Sequence, residues 1–246
     1  MKRKLSIAAL AMASFLMALP IFAQTDSEWQ PTGVWPFVNR QFKVATVYTG
    51  MFKKSKTQVP CNIHLGKQTL WYSQNDTLLE AVPGSVLRVE FPDGSVYMPV
   101  GQEQSFGRIV REDTINGRVA RVICVTAVNQ SKVDERAIEL MNNTQNNLQN
   151  DLGAGFSAFL GAVAGSNAGL KEEEMPLPLT NIFYFQVNGE IFQATTKNIL
   201  AHIAPYRQKE YKVYTRSAEI ISVNESSMLR VWKDFFLNTK PLVTRN

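Results

Sequence analysis

Four carboxylates stand where acid–base chemistry could use them. Glu80, Glu90, Asp93 and Glu112 fall in a strand-rich stretch. Two such groups facing each other across a cleft can hydrolyse a glycosidic bond, but spacing alone does not pair them. Histidine is scarce. His64 lies in Ile63-His64-Leu65, and His202 lies near Ile199 and Ile203. Each reads as a surface or satisfied structural histidine rather than a ligand. The chain has no HExxH, GxSxG, Walker loop, GxGxxG or CxxC pattern, so no catalytic residue, metal ligand or cofactor is assigned.

Cys61 and Cys124 are the only cysteines. Val59, Cys61, Ile63 and Leu65 alternate, which puts Cys61 on the apolar face of a strand. Cys124 sits in Val122-Ile123-Cys124-Val125, apolar on both faces, as in a central strand. An even count in an oxidising compartment favours a disulfide. Closing a loop of about 64 residues would contribute on the order of 4 kcal/mol. Two buried, unpaired thiols are the alternative. Neither cysteine has a charged neighbour that would make it a nucleophile.

Gly153, Ser157, Gly161, Gly165 and Gly169 recur at every fourth position in a segment, Leu152 to Leu170, without a charge. On a helix they would form one strip of small residues and let a second helix approach closely. That strip resembles a glycine zipper, and it makes membrane contact or self-association one reading. A glycine-rich connection, or a helix packed within the fold, is the other. Tyr206, Arg207, Lys209, Tyr211, Lys212, Tyr214 and Arg216 interleave aromatics with bases. Such a run can bind an acidic glycan, phosphate backbone or lipid headgroup. The preferred reading is an amphipathic helix with half-buried tyrosines and solvated bases.

Strands and helices must position these groups. Residues 24–41, with Pro31, Gly33 and Pro36, read as an extended lead-in. Residues 42–130 read as a β-rich module. In it Phe42, Val44, Thr46 and Tyr48 alternate, and Lys53, Lys54 and Lys56 make a basic turn. Leu87, Val89 and Phe91 face one side of a hairpin turning at Pro92-Asp93-Gly94, and a second hairpin turns at Asn116-Gly117. Residues 131–178 hold a helix with Val133, Ala137, Met141, Leu148 and Leu152 at helical spacing. The glycine-rich segment and an acidic linker follow. Residues 179–246 give a hairpin turning at Asn188-Gly189, then helices broken near Pro205. Ser222 and Glu225 suggest a capping box for the last helix, whose buried stripe is Met228, Trp232, Phe235 and Phe236. The expected class is α+β, an antiparallel β-rich module followed by a helical insert and a closing hairpin with helices.

The chain has 246 residues, 45% of them hydrophobic and 19% charged, with a formal net charge of +5. That composition suits a folded chain with a sizeable core. Lys2, Arg3 and Lys4 precede an uncharged apolar run to Phe22, and Ala23 offers a cleavage position. This is the three-part pattern of a secretory signal peptide over residues 1–23. The run before Pro20 is short of the ~20 residues that span a bilayer. Removing it leaves 23 basic against 21 acidic residues, a charge of +2 that gives no drive toward nucleic acid.

Asp76-Thr77-Leu78 and Asp113-Thr114-Ile115 fit the pattern Asp, Thr or Ser, aliphatic. It resembles the O-glycosylation signal of exported Bacteroidota proteins, with Thr77 and Thr114 as acceptors in expected turns. The alternative is plain turn residues. Ala23 before Gln24, Leu70-Trp71-Tyr72, Val86-Leu87-Arg88-Val89, Tyr97-Met98-Pro99-Val100 and the tail Phe183 to Phe236 together resemble exported, uncharacterised proteins of Bacteroidota. That family carries no established activity, so the resemblance transfers no functional residue. The expectation is an exported protein, periplasmic or associated with the outer membrane. It would act as a non-enzymatic binding or scaffolding module meeting an envelope protein, a membrane surface or a second copy. The alternative is a secreted hydrolase acting on glycans through a carboxylate pair.

Overall fold

The computed structural model describes residues 29–50, 55–75, 77–136, 138, 176–218 and 220–238. Four strands form a meander: β1 (Lys43–Thr49), β2 (Ser55–His64), β3 (Thr69–Gln74) and β4 (Thr77–Glu80). The chain then returns to place β5 (Val86–Glu90) on the other side of β1. From there β6 (Val96–Val100), β7 (Ser105–Ile115), β8 (Arg118–Val128), β9 (Leu179–Val187) and β10 (Glu190–Gln193) extend the sheet outward. The result is one ten-stranded antiparallel sheet in the order β10-β9-β8-β7-β6-β5-β1-β2-β3-β4. The closing hairpin therefore continues the first sheet: Arg121 to Val128 pair with Gln186 to Leu179. The class is α+β, β-rich, with helices α1 (Thr196–His202), α2 (Gln208–Ser217) and α3 (Glu225–Trp232) near the end of the chain. Residues 130–136 are also helical, and Asn129 Oδ1 accepts from the Lys132 amide at the start.

The sheet curls strongly. The Phe106 amide donates to Gln68 O at 2.8 Å, tying the β2–β3 turn to the start of β7. Six strands thus wrap round one core, with Ala45, Val47, Cys61, Ile63, Leu70 and Val89 buried in it. Two bulges help the curl by adding local twist. Opposite Tyr48 and Thr49 the register skips Leu87, and between Ile109 and Arg111 it skips Val110. Gly107 is required where the curl is tightest, because a Cβ there would lie 2.5 Å from Ile123 Cγ2.

Directly paired residues share a face. The row Val89, Tyr97, Arg108, Cys124 and Phe183 runs across β5 to β9. The same face therefore lines the curl at one end and meets the helices at the other. There Val122, Cys124, Phe183 and Phe185 pack on Ile199, Tyr211, Met228, Val231, Trp232 and Phe236. Between these two cores, on β7, stands Arg108.

Three local expectations change. The alternating set Phe42, Val44, Thr46, Tyr48 is not the buried phase of β1. Ala45 and Val47 are buried, and Val44 is 55% exposed. Leu87 is exposed while Val86 and Val89 are buried, because the bulge shifts the phase. The last helix starts one residue after Asn224, whose Oδ1 accepts from the Ser227 amide at 3.0 Å. Asn224 is the cap, in place of Ser222.

Candidate functional site

The inner face of the curl grades from dry to open. Cys61, Ile63 and Val89 are sealed at 0–2% exposure. Toward the β1–β2 turn the inward positions become Val59, then Thr57 on β2, and Tyr72, then Gln74 on β3. The outcome is a cup of about 420 Å³ at the open end. Val47, Leu70 and Val86 form its floor, each at most 6% exposed. Val59, Tyr72 and Ala81 make the wall. Thr49, Thr57, Gln74 and Ser85 stand at the rim, with Val82 64% exposed beside them. Among the described residues no charged side chain lines it. Its size is that of a small-ligand site. Chemically it can desolvate an uncharged apolar group and offer neutral hydroxyls and amides at the entrance. The change from apolar to polar inward residues along β2 and β3 was the sequence signal for an open end.

The four candidate carboxylates are not brought together. Glu80 meets Lys67 Nζ at 2.8 Å, Glu90 meets Arg88 at 2.7 Å, Asp93 meets Lys43 at 3.2 Å and Glu112 meets Arg121 at 2.7 Å. Each has its own cation. The Lys67 hydrogen bond holds the Glu80 carboxyl below the ordinary range, opposite to what a general acid needs. Both histidines serve the fold. His64 Nδ1 accepts from the Gly66 and Lys67 amides at 3.1 Å, and its ring leans on Phe37 and Trp71. Burial, then Lys67, lowers its pKa. His202 stacks on Phe192 at 3.6 Å, with Nδ1 2.7 Å from Asn198 O. Among the described residues no group of three His, Cys, Asp or Glu could hold a metal.

The cysteines are buried and free rather than bonded. Cys61 belongs to the core of the curl and Cys124 to the core under the helices. Strands β7, β6, β5 and β1 lie between them in the sheet. Burial pushes Cys61 up to about 12 and Cys124 up to about 11. Neither thiol of the native protein is therefore expected to react with a disulfide reagent at pH 8, and both should react in denaturant. A count of zero in denaturant would mean a bond had formed.

Thr77 and Thr114 are exposed but sit in strands. The adjacent reversals are made by Asn75 and by Asn116-Gly117, which take positive φ. Thr77 pairs with Gln74 and Thr114 with Val119. Lys209, Lys212 and Arg216 are solvated and Tyr211 is buried, but Arg207 is 2% exposed, contrary to a fully solvated basic face. Lys53, Lys54 and the strip Gly153, Ser157, Gly161, Gly165, Gly169 lie outside the described residues. No helix among the described residues is long and apolar enough to cross a bilayer. In comparisons with known proteins, no family model matches the chain, and no curated protein or solved structure matches it.

Proposed function

We propose that the chain is exported and works in the cell envelope as a non-catalytic binding module, holding an uncharged apolar group in the cup. The carrying observation is the cup itself: an apolar floor, a neutral polar rim and, among the described residues, no charged lining residue in about 420 Å³. Such a cavity favours apolar groups because removing apolar surface from water is favourable by roughly 25 cal/mol per Å². The signal-peptide pattern at residues 1–23 supports export, and the mature chain is then expected to begin at Gln24.

N-phenyl-1-naphthylamine, an uncharged apolar fluorophore, tests the cup. It is expected to bind with one site and to brighten. Val59→Asp places a charge in the wall, and Val82→Asp places one at the exposed rim. Both should weaken binding at least roughly tenfold, since an unpaired charge is costly beside a bound apolar group. No binding, or unchanged binding in both variants, overturns the reading. Recovery of the uncleaved chain from the cytoplasm overturns the export half of it.

A further inference from the structure

We propose that the seam between the two cores is a second site, independent of the cup, for a small molecule that joins a carboxylate to an apolar body. A separate cavity of about 240 Å³ opens there, between the lead-in and the inner face of the sheet. Its floor is apolar: Ile63, Leu65 and Phe106 line it at 2%, 1% and 8% exposure. Two guanidinium side chains line it from separate elements, Arg40 on the lead-in and Arg108 on β7. Among the described residues no carboxylate does.

The positions of these groups are built rather than incidental. Asn62, fully buried, accepts from the Asn39 amide at 3.0 Å and donates to Asn39 O at 2.8 Å and Gln41 O at 3.3 Å. These bonds clamp the backbone on both sides of Arg40 to β2. Arg108 Nη2 donates to Glu225 Oε2 at 2.8 Å. A guanidinium has five N–H donors, so that contact orients Arg108 and leaves further donors for a ligand. Arg40 is exposed and makes no ion pair among the described residues.

Tyr97 supplies the third polar group. It lines the cavity at only 8% exposure, and its hydroxyl takes no protein hydrogen bond among the described residues. The ring is buried while the hydroxyl is not sealed from the cavity, so it is free to donate to a ligand oxygen there. Burial pushes the phenol up to about 12, so it remains a neutral donor at physiological pH. Two cations and a neutral donor above an apolar floor match a carboxylate, whose planar pair of oxygens suits guanidinium geometry. The small volume and dry floor favour a compact apolar acid over a polyanion.

Isothermal titration of the full mature chain with 3-phenylpropionate, 3-phenylpropanamide and inorganic phosphate tests this assignment. The acid is expected to bind one per chain, and the uncharged amide at least roughly tenfold more weakly, the worth of one charge-assisted hydrogen bond. Arg40→Met changes an exposed side chain and should leave the fold intact. It should weaken the acid roughly tenfold or more, as should Arg108→Met, while Tyr97→Phe weakens it less. Binding of N-phenyl-1-naphthylamine to the cup should stay unchanged in Arg40→Met, which separates this site from the proposed function. The inference is overturned if the acid does not bind, if acid and amide bind alike, or if Arg40→Met binds the acid like the parent. Phosphate binding as tightly as the acid also overturns it, in favour of a plain anion site.

Discussion

Arg207→Met is expected to lower the stability of the folded chain by about 3–5 kcal/mol, the cost of removing one partner from a buried charged network. Arg207 precedes α2 and is 2% exposed. Its guanidinium donates to Asn238 O at 2.6 Å, Asp234 O at 2.8 Å and Glu210 Oε2 at 3.0 Å. It also lies 4.6 Å from the centre of the Phe235 ring. The carbonyls it holds belong to the π-helical turn Lys233–Leu237 and the residue after it. Carbonyls at the end of a helix have no partner within the helix, and here a side chain from another element supplies it. Methionine fills much of the volume and supplies no donor. Arg207→Lys should recover little, because one ammonium cannot reproduce the fork that reaches three acceptors. Urea unfolding followed by circular dichroism measures both variants. A loss below about 1 kcal/mol for the methionine variant would show that water replaces the guanidinium, placing the network with surface pairs.

Trp232→Ala should cost a similar amount, about 3–5 kcal/mol, as is usual for emptying a buried aromatic site. Trp232 is 1% exposed, packs on Phe185 and Phe236 at ring-centre distances of 5.1 and 5.3 Å, and donates Nε1 to Asp113 Oδ2 at 2.9 Å. It therefore joins α3 to both β9 and β7. Trp232→Phe keeps much of the apolar contact and loses the donor, so it should fall between parent and alanine. The Asp113 carboxyl is held below its ordinary range, chiefly by the Arg111 hydrogen bond and further by Trp232. A carboxyl lowered on folding contributes stability above its unfolded value near 4 and loses it as pH falls through the lower folded value. The phenylalanine variant should accordingly lose less stability than the parent between pH 4 and pH 2. Equal acid sensitivity in parent and phenylalanine variant would mean that the indole contributes nothing to that carboxylate.

Some of this fold was legible locally. Asn116-Gly117 marks a reversal in the sequence, and both residues take positive φ in the structure. Met228, Trp232, Phe235 and Phe236 are buried together, as their helical spacing implies. The phase of β1 was not legible, because two apolar sets interleave there: Phe42 and Val44, against Ala45 and Val47. Only the choice of β2 and β5 as partners decides which set turns inward. Leu87 defeats alternation for a related reason, since a bulge depends on the register of two strands and not on either alone.

The candidate sites divide in the same way. The inward run Thr57, Val59, Cys61, Ile63 carries the gradient that becomes the cup, yet its closure needs β5 seated beside β1. The seam brings Arg40, Tyr97 and Arg108 together from three separate stretches of chain. No spacing in the sequence connects them.

A β-rich α+β chain, its apolar stripes and many of its turns are written locally, because side-chain periodicity and turn chemistry act over a few residues. The tertiary structure decided the strand order, and with it the separation of Cys61 from Cys124, the independent cation for each candidate carboxylate and both cavities. These depend on which distant strands pair, and that choice is made by the packing of the whole sheet and not by any local pattern.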